Sequence, residues 1–203
     1  LSSVVVVTVV DTVLPAVSLV SPANAVSIRI NNVSLVCNAS DLTLSNITLF
    51  TNITGAWTAN TTIPLPAPAG TAQFNLTAVP DGTLLWNCRS SDISGNSAFA
   101  PSNRTLTIDT SAPAVSLFAP ADNISIRSTN VTLACGAVDS ISNISNITLY
   151  TNISGVWSAN RSIALAGKSA NASFNLTALS DAYFAWNCLA FDWNQRPEIA
   201  LGG

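Results

Sequence analysis

Four cysteines are the residues of this chain whose type and spacing point most directly to chemistry. Cys37 and Cys88 are about fifty residues apart, as are Cys135 and Cys188, which is the arrangement of a disulfide between the two sheets of a β-sandwich. Four cysteines permit three pairings, and pairing Cys37 with Cys88 and Cys135 with Cys188 keeps each bond within one half of the chain. The alternative is that the cysteines are free, buried thiols. Disulfides would place the protein outside the cell.

Other catalytic groups are scarce. The chain has no histidine, and disulfides would use all of its cysteines, so the common general bases, thiol nucleophiles and zinc ligands are missing. Serine and threonine are abundant, but no base is present to activate them. We therefore expect no enzymatic activity, no catalytic residue and no cofactor other than covalent glycans.

Two pairs of aspartates occupy corresponding positions in the two halves of the chain, Asp41 with Asp139 and Asp92 with Asp192. A calcium site needs six to eight converging oxygen ligands, and the surrounding loops offer few further carboxylates. Asp residues also cap turns by accepting backbone hydrogen bonds. The sequence therefore predicts turn capping and no metal site.

Asparagine is concentrated in N-glycosylation sequons, since fifteen of the 21 asparagines stand in Asn-x-Ser/Thr. The alternative is that strands rich in Ser, Thr and Asn produce sequons by chance. A glycan coat would hydrate a surface that has only 8% charged residues in a chain that is 48% hydrophobic. The predicted glycosylation sites are Asn32, Asn38, Asn46, Asn52, Asn60, Asn75, Asn103, Asn123, Asn130, Asn143, Asn146, Asn152, Asn160, Asn171 and Asn175.

The charge and the termini add further expectations. A net charge of −3 with seven scattered basic residues gives no electrostatic basis for nucleic-acid binding. No apolar run approaches the roughly 20 residues that a membrane-spanning helix needs. Because the chain begins at Leu1, we expect that a signal peptide has been removed. Together with the sequons and cysteines, this predicts an extracellular protein on the cell surface.

The elements that must position these residues form a tandem repeat, with residues 12–109 and 110–203 as two copies of one module. Cys37 and Cys135 are 98 positions apart, and Cys88 and Cys188 are 100 apart. The block Asn46-Ile47-Thr48-Leu49-Phe50 recurs as Asn146-Ile147-Thr148-Leu149-Tyr150. A period near 100 indicates tandem domains and excludes a solenoid.

Within each copy, apolar residues alternate with Ser, Thr or Asn, which is the period of a half-buried strand. Short strands of this kind, separated by turns such as Pro80-Asp81-Gly82, indicate an all-β sandwich with about seven strands per copy. No segment has a helical period.

Each copy resembles the immunoglobulin-like modules of archaeal and bacterial surface proteins. The resemblance covers nearly the whole chain and is carried by the Pro-x-Val-x-Leu strand, the paired cysteines and the block Asp-x-x-x-x-Trp-Asn-Cys. Trp86 and Trp186 stand where antibody-type domains have a tyrosine, and Trp57 and Trp157 follow the hairpin that they would normally precede. The resemblance therefore implies the sandwich architecture, which does not define a function.

The closing strands of the two copies differ. Copy one ends with a strand at residues 104–108, which leads into the first strand of copy two, whereas copy two has no such strand after Cys188. Residues 1–11 instead carry a valine-rich segment that joins copy one through the same kind of junction. The sequence thus predicts a second sandwich that lacks its last strand, and an N-terminal donor strand for a module of another chain.

The predicted donor residues are Val4, Val5, Val6, Val7, Thr8, Val9 and Val10. Aligning Asp11 with Asp109 places Val10 on Ile108, Thr8 on Leu106 and Val6 on Arg104. Insertion would then use Val4, Val6, Thr8 and Val10, and a one-residue slip would use Val5, Val7 and Val9. Because both faces are apolar, the sequence leaves the register open.

Filling an open sheet edge with a strand from a neighbour is donor-strand complementation, and its head-to-tail repetition gives an open filament. The assembly would resemble the donor-strand filaments of archaea and chaperone-assembled pili, with the sequons favouring the archaeal kind. We therefore expect a structural filament subunit whose partner is another copy of itself. The alternative is an adhesin or surface-layer fragment built of tandem immunoglobulin-like binding modules, with an unknown adhesion target.

Overall fold

The computed structural model of the protein describes residues 9–194 and 197–199. Within these residues the secondary structure consists of sixteen β-strands and contains no helix. Contacts between Cα atoms divide the chain into two compact units, Leu1–Ile108 and Asp109–Gly203, here called unit 1 and unit 2. The all-β class predicted from the alternating sequence pattern is confirmed.

In its described residues, unit 1 forms two sheets that face each other. One sheet has the strand order β1-β3-β6, and the other has the order β2-β9-β7-β4-β5, with β8 paired to β7. Pairing is antiparallel except between β2 and β9, which run parallel. The strands are β1 (Ala16–Ser21), β2 (Val26–Ile28), β3 (Val33–Ser40), β4 (Leu44–Thr51), β5 (Thr58–Pro64), β6 (Ala69–Leu76), β7 (Gly82–Asp92), β8 (Ser97–Phe99) and β9 (Arg104–Ile108).

Unit 2 repeats this plan with fewer strands in its described part. Its sheets have the orders β10-β11-β14 and β13-β12-β15-β16. The strands are β10 (Ala114–Ala119), β11 (Val131–Val138), β12 (Ile144–Thr151), β13 (Ser158–Ala164), β14 (Ser169–Leu176), β15 (Trp186–Asp192) and β16 (Pro197–Ile199).

Alternation along each strand builds the core. In β3, Val33, Leu35, Cys37 and Ala39 are buried, whereas Ser34 and Asn38 between them are exposed. Successive side chains of a strand point to opposite faces, so this pattern directs every second residue between the sheets. Each unit has its own core cluster of such residues, and burial of this apolar surface is the main favourable term in folding.

Both predicted disulfides are present. Cys37 on β3 is bonded to Cys88 on β7, and Cys135 on β11 is bonded to Cys188 on β15. Each bond joins the two sheets of one unit, which is the immunoglobulin-like arrangement. The pairing within each copy is confirmed, and the alternative of free thiols is wrong. The fold is therefore two tandem immunoglobulin-like sandwiches.

Candidate strand-acceptor site

Strand β9 closes the larger sheet of unit 1. Its antiparallel pairing with β7 runs from Ile108 opposite Gly82 to Arg104 opposite Trp86. Its other edge pairs in parallel with β2. Leu106 and Ile108 are both 0% exposed, so β9 supplies core side chains as well as backbone partners. This geometry defines what a closing strand does in the module.

Trp86 lies under this closing strand and is 0% exposed. The Arg104 guanidinium carbon lies 5.9 Å from the centroid of the Trp86 ring, a cation–π distance. Arg104 Nη1 also donates to the carbonyl oxygens of Val20 at 3.0 Å and Pro22 at 2.6 Å. These contacts connect the start of β9 with the end of β1 and close this end of the unit 1 sandwich.

The described residues of unit 2 leave the corresponding position open. Strand β15 begins at Trp186, whereas β7 begins at Gly82, and residues 182–185 belong to no strand. Among the described residues, no strand pairs with residues 182–186 on the side opposite β12. Residues 124–126, which correspond to β2, are not in a strand either. In its described part, unit 2 therefore has no counterpart of β9.

Apolar side chains at this open edge, and at the positions that correspond to Leu19 and β2 of unit 1, are more exposed than their unit 1 counterparts. Phe184 and Trp186 pack on the unit 2 core but are only partly buried. Ile124 is 56% exposed, Ile126 is 43% exposed and Leu117 is 36% exposed. At the equivalent position to Leu117, Leu19 is only 9% exposed. We call residues 182–186 together with Leu117, Ile124 and Ile126 the acceptor edge.

The predicted donor segment falls mostly outside the described residues, because Val4, Val5, Val6, Val7 and Thr8 lie there. Val9 and Val10 are described, belong to no strand, and are 91% and 65% exposed. Strand formation by the donor segment and its register therefore remain predictions.

Asp41, Asp92 and Asp139, three of the four aspartates singled out in the sequence, cap turns. Asp41 Oδ1 accepts from the backbone amide of Thr43 at 2.9 Å, and Asp139 Oδ1 accepts from that of Ile141 at 2.8 Å. Burial of the Asp92 carboxyl raises its pKa. Hydrogen bonds from the side chain and backbone of Asn96, and from the backbone of Ser94 and Gly95, outweigh this effect and lower the pKa of Asp92 below its ordinary value.

The fold also brings a third aspartate to each pair, which the sequence analysis missed. Asp11 joins Asp41 and Asp92, and one carboxylate oxygen of each residue lies within 4.8 Å of the others. Asp109 joins Asp139 and Asp192 in the same way. A sequence feature could have pointed to these two aspartates. Each stands in the junction before a copy, where Asp-Thr is followed by a proline four positions after the aspartate.

All fifteen sequon asparagines are accessible. Ten are exposed, the other five are partly buried, and none is buried. Several also serve the fold, since Asn52 Oδ1 accepts from the Leu85 amide at 2.8 Å and Asn152 Oδ1 accepts from the Ala185 amide at 2.7 Å. The partly buried sites are Asn46, Asn52, Asn143, Asn146 and Asn152.

No protein-family model and no curated protein matches the sequence. Among solved structures, the chain is similar to dimeric latent PorU from Porphyromonas gingivalis, with 14% identity and a TM-score of 0.37 over 93% of this chain and 20% of that chain. It is also similar to the human OSCAR ligand-binding domain, with 15% identity and a TM-score of 0.40 over 92% of this chain and 94% of that one. At these values neither protein informs the function of this chain.

Because the described residues contain no helix, they contain no helix that could cross a membrane.

Proposed function

We propose that the chain is a structural subunit of a glycosylated extracellular filament, in which the N-terminal segment of one copy completes unit 2 of the next copy. The acceptor edge is the observation that supports this proposal. Unpaired strand edges and exposed apolar side chains are costly and favour the addition of a strand. An incoming strand at this edge would do in unit 2 what β9 does in unit 1.

Unit 1 supplies the template for the bound strand. Leu106 and Ile108 alternate with threonines along β9, and only the leucine and isoleucine are fully buried. In the aligned register, Val10 and Thr8 take the places of Ile108 and Leu106, and Val6 takes that of Arg104. The slipped register inserts Val5, Val7 and Val9. In either register the segment offers apolar side chains to Phe184 and Trp186.

The binding energy of such a strand is large. Burial of three or four valine side chains at about 1.5–3 kcal/mol each contributes on the order of 5–12 kcal/mol before ladder hydrogen bonds and ordering entropy are counted. A head-to-tail contact of this kind does not close on itself, so its repetition gives an open filament. The two disulfides and the fifteen accessible sequons fit an extracellular setting.

Removal of residues 1–10 tests the proposal most directly. The full-length chain is expected to form ladders or fibres that resist detergent, and the truncated chain is expected to stay monomeric. A synthetic peptide of residues 1–11 should bind the truncated chain with one-to-one stoichiometry, measured by light scattering and native mass spectrometry. Fibre growth by the truncated chain would contradict the donor role of this segment.

Paired substitutions in the full-length chain determine the register and serve as matched controls for each other. If the aligned register is correct, Val6→Asp with Val10→Asp should abolish polymerisation, because both charges would enter the unit 2 core. Val5→Asp with Val9→Asp should then have a much smaller effect, and the slipped register reverses this order. A full-length chain that stays monomeric would favour the alternative function as an adhesin or surface-layer fragment.

A further inference from the structure

The acidic cluster of unit 2 consists of Asp109, Asp139 and Asp192. Their exposed fractions are 0%, 4% and 0%, so all three carboxylates are withdrawn from water. One oxygen of each lies within 4.8 Å of the others. Like charges at this separation in a buried site repel one another, and buried carboxylates need neutralisation by a cation or by protons.

Asp139 gives an independent indication of a ligand. Its Oδ1 accepts from the backbone amides of Ile141 at 2.8 Å and Ser142 at 2.7 Å, which fixes the orientation of the carboxylate. Its Oδ2 is buried and has no hydrogen-bond partner among the described residues. A buried carboxylate oxygen without a partner is expensive, unlike the capped oxygen beside it. A bound cation would satisfy this oxygen.

Among the described residues, the groups that donate hydrogen bonds to Asp109 are neutral. Ser142 Oγ and Asn194 Nδ2 both donate to Asp109 Oδ2, the latter at 3.2 Å, and Asn194 Nδ2 also donates to Ser142 Oγ at 2.8 Å. These bonds hold the carboxylate in place, and none of these described donors carries a positive charge. They also bring an amide group and a hydroxyl group beside the three carboxylates.

We propose that Asp109, Asp139 and Asp192 bind a calcium ion in unit 2. Oxygen donors without imidazole or thiolate suit hard divalent cations, and the chain contains no histidine and no free cysteine. Two ligands of one Ca²⁺ ion, each about 2.3–2.6 Å from it, can be up to about 5 Å apart. The 4.8 Å limit on the carboxylate oxygens fits this span. Water and nearby carbonyl or amide oxygens would complete the coordination.

The equivalent cluster in unit 1 is a built-in comparison. Asp11 and Asp41 are only partly buried, and both oxygens of Asp92 already accept hydrogen bonds from Asn96, at 2.8 Å and 2.7 Å. Thr43 Oγ1 also lies near Asp11 Oδ2 at 3.3 Å. In unit 1, hydrogen-bond donors of the protein therefore already satisfy carboxylate oxygens of the kind that a cation would satisfy in unit 2. Unit 1 should bind Ca²⁺ more weakly than unit 2.

The test is titration of the full-length, metal-free protein with CaCl₂, followed by calorimetry and by thermal unfolding with and without EGTA. The tighter site should have a Kd of about 10⁻³ M or lower, in the range of extracellular modules and tighter sites. Asp139→Asn keeps the Oδ1 acceptor for Ile141 and Ser142 but removes the charge. It should weaken this site at least about tenfold without lowering the stability of the metal-free protein.

Asp41→Asn and Asp122→Asn are the matched controls, the first in the unit 1 cluster and the second at an exposed position outside both clusters. Neither should change the affinity of the tighter site. Because Trp193 is 64% exposed and follows Asp192, sensitised Tb³⁺ luminescence gives a second readout that Asp139→Asn should remove. If Asp139→Asn fails to fold, Asp192→Asn replaces it. Absence of Ca²⁺ binding by the unsubstituted chain, or full affinity in the folded Asp139→Asn variant, would overturn the proposal.

Discussion

At the scale of single residues, identical side chains in the two units have different surroundings. Trp86 is 0% exposed under β9, whereas Trp186, at the matching place before the second cysteine of its unit, is only partly buried. The sequence around both residues is Trp-Asn-Cys, so the difference arises from the neighbours that each unit supplies. The same contrast separates Leu19 from Leu117.

Substitution of the two tryptophans should therefore have unequal effects. Trp86→Ala is expected to cost about 3–5 kcal/mol, as for a large side chain in a closed core. Trp186→Ala should cost less than half of that in a chain lacking residues 1–10, because the Trp186 side chain buries less apolar surface than that of Trp86. Chemical denaturation followed by circular dichroism measures both, with the exposed Trp57→Ala as the control. Equal costs at Trp86 and Trp186 would argue that unit 2 is already closed.

At the scale of strands, each unit has an exposed edge strand that is distinct from the acceptor edge of unit 2. Strand β5 ends its sheet and is exposed at all positions but Ile63, and β13 has the same pattern around Ile163. Exposed edge strands invite pairing with other chains unless something blocks them. Asn60 on β5 and Asn160 on β13 are sequon residues, so glycans there would cover both edges.

If Asn60 on β5 carries a glycan, loss of that glycan should promote lateral association. We expect Asn60→Gln, expressed in a glycosylating host, to increase aggregation in light scattering, because the free edge can then pair. Asn38→Gln is the matched control, since Asn38 is also an exposed sequon residue but lies on the central strand β3. Glycopeptide mass spectrometry establishes occupancy at both sites beforehand. Indistinguishable aggregation of two occupied sites would show that the glycan does not protect the edge.

At the scale of the whole molecule, the two units have separate cores of unequal completeness. The unit 1 core includes Leu106 and Ile108 from β9, and the described part of the unit 2 core has no equivalent contribution. Since stability depends on the apolar area that each core buries, the two units should unfold at different temperatures.

Calorimetry of the chain lacking residues 1–10 should therefore show two transitions, with unit 2 unfolding first. A peptide of residues 1–11 should raise only the lower transition, by the equivalent of about 2.7 kcal/mol at a concentration one hundred times its Kd. A peptide carrying Val6→Asp and Val10→Asp tests the aligned register, in which it should have no effect. A shift of both transitions by the unmodified peptide would contradict binding at the acceptor edge.

Structural features that depend on neighbouring residues, or that recur in both copies, could be predicted from the sequence. The alternation of Val33, Leu35 and Cys37 predicted a half-buried strand, because side chains of a strand alternate between faces whatever their distant neighbours are. The disulfide pairing followed from the duplicated Cys37 and Cys88 positions, since pairing inside one copy satisfies both halves alike. The capping roles of Asp41 and Asp139 depend on amides two residues away.

Features that depend on contacts between distant segments needed the folded molecule. Asp109 meets Asp139 and Asp192 across long stretches of chain, and no local pattern measures that distance or the burial of the Asp139 carboxylate. The exposure of Trp186 likewise depends on whether a strand lies beside residues 182–186. The periodicity of a strand depends on neighbouring residues, so the sequence alone determines it. Burial and the clustering of charges depend on which remote segments pack together, so only the tertiary structure decides them.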